Sequence, residues 1–307
     1  MTDSTSGEVV ELKRHSAVVN FLLRLVKEKP LGTVGGVITL LLLLTGIFSD
    51  FLAPFGVNET NRDFFLAPPS AQFWLGTDML GRDVLSRVIF GARVSLIVGL
   101  AGTTIAITVA LVIGMVCGYL GGKLDLILQR FVDAIMCFPL LILLMVIMTV
   151  VGAGMWNLIV VMGLRWGVTG SRILRGATIQ VRENVYVQSA VAIGCPTSRI
   201  ILKHILPNIM APTIVRFTIL LPQIILTESN LSFLGFGIPP PTPSWGGMLS
   251  GMGRVYMMRA PWTVIWPGLA LAIVVYGVNM FGDAMRDILD PRLRGGAGRY
   301  GRRAPQG

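Results

Sequence analysis

Uncharged apolar runs long enough to cross a bilayer recur along the chain, separated by polar stretches rich in Lys, Arg, Gly and Pro. A membrane helix needs about 20 mostly apolar residues, and 31–49 is the first run of that kind. The run follows a polar, basic segment and has no small-residue cleavage site after it, so it is expected to stay as an anchor. Residues 94–122 form the second run, long enough to tilt or to extend into the interface. From 134 to 164 the chain is uncharged for 31 residues, too many for one span. Gly152-Ala153-Gly154 predicts a break that makes a hairpin of two helices. A fifth span is expected at about 209–230, with Arg216 near one end and Glu228 near the other, and a sixth at 260–282, which contains Pro267. The pattern predicts an all-α membrane protein with six transmembrane helices.

Composition agrees. Of 307 residues 53% are apolar and 14% charged, with a mean hydropathy of +0.71, whereas a soluble domain carries about 25% charged residues. The net charge of +10 points to nucleic acid, to a membrane surface or to membrane topology, and the placement of the charges decides. Of the 26 Lys and Arg, 19 fall in the N-terminal segment, the connection after the second run, 165–203 and the tail. Lys and Arg accumulate on the cytoplasmic side, so both termini are expected there. Topology accounts for the basic balance, and nucleic acid is not an expected partner.

No catalytic constellation emerges. Cys117, Cys137 and Cys195 are too scattered for a disulfide framework or a zinc site, and His15 and His204 lie on distant segments. The tail 296–301 matches a dinucleotide fingerprint by letter but lacks the strand and helix that give it meaning. Gly121-Gly122-Lys123 is followed by Leu124, and Cys117 stands where a phosphate-binding loop needs its first glycine. The chain is therefore expected to be no enzyme and to bind no cofactor, its energy coming from a partner or an ion gradient. Gly114, Gly118 and Gly122 share a helical face, as do Gly32 and Gly36; such faces serve packing within the chain or contact with a partner subunit.

The basic connection 176–208 is longer than most connections. It predicts a helix over about 183–193, a stop at Gly194, a restart at Pro196 and a second basic helix ending at Pro207. Two short helices joined at a glycine make a projection suited to a groove on another protein. This segment resembles the cytoplasmic "EAA" loop of ATP-binding-cassette importer permeases, with the family's glycine at Gly194 and its Leu-Pro at Leu206 and Pro207; the letters themselves are Gln188-Ser189-Ala190 here. The blocks 76–78, 81–87, 91–96, 231–237, 244–248 and 290–294 closely resemble the C-type permease subunit of dipeptide/oligopeptide (peptide/nickel) importers.

The resemblance implies a type I importer permease fold in a bacterial cytoplasmic membrane, forming half of a translocation pathway. Its implied partners are a homologous second permease, two cytoplasmic ATPase subunits that carry ATP and Mg, and an external (periplasmic) substrate-binding protein. Di- and oligopeptides are the implied cargo, with glutathione or nickel as alternatives in the same class; an ion-coupled secondary carrier is the alternative of a different class. Division into 1–30, 31–92, 93–285 and a 286–307 tail follows. Glu183, Gln188, Ser189, Ala190, Gly194, Arg199, Lys203, Leu206 and Pro207 are the implied coupling residues, although Gly194 also fits an ordinary helix cap. In the outer loop Gly76, Asp78, Gly81 and Asp83 either fold the excursion or, with Gln72 and Thr242, form a platform for the binding protein. Three roles are open to Arg165: reaching the cytoplasmic surface, pairing with Asp133 or Glu228, or facing a translocation path together with Glu228.

Overall fold

A computed structural model describes residues 25–289. The segment 1–24, the 290–294 block and the 296–301 fingerprint lie outside them. Within them the chain is helical, with one isolated bridge between Thr77 and Asp83. Helix α1 (Pro30–Ile47) is followed by a long excursion and then by α2 (Val84–Leu120). Next come α3 (Gly122–Met136), α4 (Leu140–Val151), α5 (Met155–Arg182), α6 (Val185–Ala192) and α7 (Met210–Phe233). Short α8 (Trp245–Leu249) and α9 (Gly251–Tyr256) lead to α10 (Trp262–Leu289).

Four helical stretches among the described residues are long and apolar enough to cross a membrane, and a fifth is added if the bent pair α3–α4 counts as one span. The break at 152–154 falls where the glycines predict it, between α4 and α5. The hairpin expected over 134–164 needs correction at its first limb. A second break at 137–139 bends the chain by 93° and leaves α4 with 12 residues, about 18 Å, short of the hydrocarbon thickness by itself. Pro139 explains it, because its ring disfavours helical geometry at Phe138, and Pro139 becomes the N-cap residue of α4. Residues 134–136 belong instead to amphipathic α3, which stands off from the hydrophobic run. Helix α2 also begins earlier than the apolar run, so a division at 92/93 falls inside a helix.

The core joins α2, α4, α5 and α7 through Val98, Ala106, Leu144, Met148, Leu158, Met162, Leu220 and Ile224. Glycine allows the close approaches. A methyl group on Gly114 would meet Ser171 O at 2.9 Å, and one on Gly118 would meet Thr178 Cβ at 2.7 Å, so this face packs α2 on α5 within the chain. Gly32 and Gly36 do the same for α1, against Ala284 and Phe281 of α10. The start of α1 and the end of α10 are joined by Lys29 and Asp287, Nζ to Oδ2 at 2.5 Å. At the other end of α1, Arg93 forks onto Asp50 at 2.6 and 3.1 Å and reaches Gly46 O at 3.1 Å. Its hydrogen bonds hold the Asp50 carboxyl below the ordinary range, outweighing burial.

Candidate functional site

Three arrangements carry the expected site residues. In the first, α6 ends at Gly194 with φ +78°, a conformation that side chains resist. Cys195 N–H donates to Ala190 O at 3.0 Å and Gly194 N–H to Val191 O at 2.9 Å, the paired bonds of a Schellman cap. Ile193 and Val185 are left exposed outward, while Val187 and Ala190 are buried. The buried face, with Ile200, Ile205 and Ile209, packs against Met115 of α2 and Val181 of α5. The projection is thus clamped onto the two longest core helices and keeps an apolar outer face. Gln188, Ser189, Arg199, Lys203 and Pro207 are exposed on it, and Leu206 is half-buried. Glu183 is exposed just after α5, and its carbonyl accepts from Gln188 Nε2 at 3.2 Å.

The second helix of this segment does not end at Pro207. From Thr197 the chain stays helical to Phe233, through wide turns at Ile200–Ile205 and tight ones at Leu206–Ile209. Pro207 and Pro212 have no N–H and would each clash with the carbonyl four residues back. The wide turn shifts the Leu206 N–H to Ile201 O, and Asn208 Nδ2 supplies His204 O with a donor at 2.7 Å. The connection also starts later than 176, because α5 runs to Arg182. The projection is therefore continuous with α7 at one end and follows α5 directly at the other.

The second arrangement is a set of buried polar atoms on α5 and α7. Arg165 makes neither expected ion pair: Asp133 is taken by Arg172 and Arg130, and Glu228 lies elsewhere. Arg165 Nε and Trp166 Nε1 on α5, and Arg216 Nε and Gln223 Oε1 on α7, are buried atoms with no hydrogen-bond partner among the described residues. Arg216 lies against α5, where a methyl group on Gly170 would meet its Nε at 3.8 Å. Arg216 was legible only as a charge near a span end, since nothing in the pattern points it at α5. Glu228 is fully buried and separate from this seam. It accepts from Ser232 Oγ at 2.7 Å and Ser229 Oγ at 3.2 Å, and Ser232 Oγ accepts from Ile238 N–H at 3.1 Å. Glu228 lies in the last turns of α7, with its carboxylate held by serines of the same helix.

The third arrangement is the excursion between α1 and α2. Phe73 packs between Phe55 and Phe64, with ring centroids 5.1 Å apart in both pairs. Gly81 sits at φ +69°, and a side chain there would collide with the Asn61 carbonyl. Asp78 and Asp83 are both engaged within the chain. Asp78 Oδ2 receives Arg82 Nε at 2.7 Å, and its Oδ1 takes the N–H groups of Leu80 and Arg82 at 2.8 and 3.0 Å. Asp83 caps α2 by accepting from Ser86 N–H at 2.8 Å. Gln72 and Thr242 remain exposed. Trp245 ties the two outer segments together, its Nε1 donating to Val88 O at 3.0 Å. Among the described residues no group of three His, Cys, Asp or Glu is placed to hold a metal ion.

Residues 110–295 match the family described as the binding-protein-dependent transport system inner membrane component. Residues 21–69 match the N-terminal TM domain of oligopeptide transport permease C. The chain is 38% identical to a dipeptide transport system permease protein of Alkalihalophilus pseudofirmus over 87% of its own length and 88% of that protein's. It is 35% identical to an oligopeptide transport system permease protein of Bacillus subtilis, with 94% of each chain covered. A glutathione transport system permease protein of Escherichia coli is 35% identical over 88% of this chain and 89% of the relative. The chain belongs to the binding-protein-dependent transport permeases, as a C-type permease of the peptide importers.

Proposed function

We propose that the chain is one of two permease subunits of an ATP-driven importer of di- and oligopeptides in a bacterial cytoplasmic membrane. Similarity along almost the whole chain to permeases named for dipeptides and oligopeptides carries this reading. Six spans, α1, α2, bent α3–α4, α5, α7 and α10, with both termini cytoplasmic, suit the Lys and Arg distribution and the Lys29–Asp287 pair between the first and last helices. A division between 31–83 and a core over 84–285 respects the continuity of α2.

The projection 183–207 docks on a cytoplasmic ATPase subunit, using the exposed apolar face around Val185 and Ile193 and the basic residues Arg199 and Lys203. Because its inner face is clamped to α2 and α5 and its second limb runs into α7, a push on it moves core helices as bodies. A second permease completes the pathway, and ATP and Mg belong to two ATPase subunits. The partially satisfied seam around Arg165 and Arg216 faces that pathway and attracts carboxylates. Glutathione, itself a tripeptide, is the cargo named for one relative and is the second reading.

Reconstitution tests this. Vesicles holding both permeases, the ATPases and the binding protein accumulate peptide only with ATP, and omitting the ATPases abolishes uptake. Uptake driven by an ion gradient without the ATPases would replace this reading by a secondary carrier.

A further inference from the structure

On the outer side, apart from the coupling projection and the Arg165 seam, a cavity of about 490 Å³ opens between the 78–82 turn, the start of α2 and the 238–251 segment. Arg82 and Arg87 both line it, with side chains only 10% and 7% exposed. Both reach the same carboxylate oxygen, Asp78 Oδ2, Arg82 Nε at 2.7 Å and Arg87 Nε at 3.7 Å. Asp78 is the sole acid among the described residues on the cavity wall. Two guanidinium groups therefore share one carboxylate, which leaves one positive charge in excess. The donors are also in excess. Arg82 bonds a described side chain through Nε alone, and Arg87 adds one long bond from Nη1 to Val57 O at 3.4 Å. Charge held out of water calls for a counter-charge. The rest of the wall is largely apolar and includes Leu66, Met79 and Ile238.

We propose that this cavity receives the free C-terminal carboxylate of a short peptide at the outer mouth. The inference rests on the peptide-import reading and deepens it. Arg82 offers the fork a carboxylate needs, and the apolar wall takes the last side chain. One excess charge matches a carboxylate, whereas a phosphate dianion asks for two. Recognition of the carboxylate and of generic apolar surface leaves the peptide's sequence open.

The test uses the assembled complex in vesicles without binding protein, in a Cys137→Ser, Cys195→Ser background carrying Thr242→Cys. Thr242 is exposed and lies on the cavity wall. Saturating trialanine is expected to slow thiol labelling at this position several-fold, and C-terminally amidated trialanine to leave it unchanged. Arg82→Gln abolishes the protection. Should that variant fail to assemble, Met79→Glu, which adds a second carboxylate to the wall and spares the Asp78–Arg82 bonds, abolishes it instead. Equal protection by acid and amide, or protection by neither, would overturn the proposal. Labelling needs neither ATP nor turnover. Protection in a complex that does not accumulate peptide would sink the transport reading and leave the site standing; uptake without protection would sink the site alone.

Discussion

Arg175 of α5 forks onto Asp125 of α3, its Nε donating to Oδ1 at 2.6 Å and its Nη2 to Oδ2. Arg172, one turn earlier on α5, pairs with Asp133 near the far end of α3. Two ion pairs thus hold amphipathic α3 along the last turns of α5, directly before the 183–207 projection. The Asp125 side chain is 15% exposed and that of Arg175 32%, between a surface pair and a buried one. Removing one partner is expected to cost about 1–3 kcal/mol. Asp125→Asn is expected to leave the complex assembled but lower uptake per ATP hydrolysed, because α3 no longer follows α5. The exchange Asp125→Arg with Arg175→Asp restores part of the loss. An unchanged ratio of uptake to hydrolysis in Asp125→Asn would show that the pair only stabilises.

Gly194 separates cap from docking surface. Its φ of +78° makes Gly194→Ala cost about 1 kcal/mol. A side chain there meets nothing in this chain within 4 Å. Gly194→Ala should therefore transport almost normally, whereas Gly194→Trp should remain in the membrane and lose ATP-driven uptake. Pull-down of the ATPase subunits on the permease reads the difference. Undiminished uptake by Gly194→Trp would remove the docking role.

The outer segments are locked by Trp245 over Gly91. A methyl group at Gly91 would lie 2.7 Å from the Trp245 ring, which is 2% exposed. Gly91→Ala is expected to destabilise the chain by about 1–3 kcal/mol. Trp245→Phe, which gives up the bond to Val88 O, costs about 1 kcal/mol. The double variant should cost less than the sum, because the smaller ring makes room. Thermal unfolding in detergent measures all three.

Asp78 and Gln72 are expected to behave oppositely, although both lie in the outer loop. Asp78→Asn leaves two buried guanidinium groups without their carboxylate and is expected to cost about 3–5 kcal/mol. Low levels of assembled protein follow. Gln72→Cys and Thr242→Cys are exposed and should assemble normally, then crosslink to the binding protein during turnover. Absence of crosslinks at both positions would exclude this face as the platform.

Arg165→Gln and Arg216→Gln test the seam between α5 and α7. Each should lower uptake of free-acid peptides more than of amidated ones, with assembly and basal ATPase activity retained. Equal loss for both peptide forms would leave the two arginines a structural task.

The sequence by itself determined where most apolar helices run, the break at 152–154 and the stop at Gly194, because each depends on local chemistry: apolar length, glycine conformational freedom, a helix cap. Tertiary structure decided which distant groups the polar residues meet. Asp78 and Asp83 carry turn-like letters and find Arg82 and Ser86 within four residues, but only the folded chain brings Arg87 to the same Asp78 oxygen. Glu228 and Arg165, both charges within apolar runs, part company because serines of its own helix satisfy one, while packing buries the other's Nε unpaired. The 93° bend after α3 and the continuation of the helix past Pro207 belong to the same class. A proline states which bond is lost, but the packing of distant helices decides whether the chain turns away or widens a turn and continues.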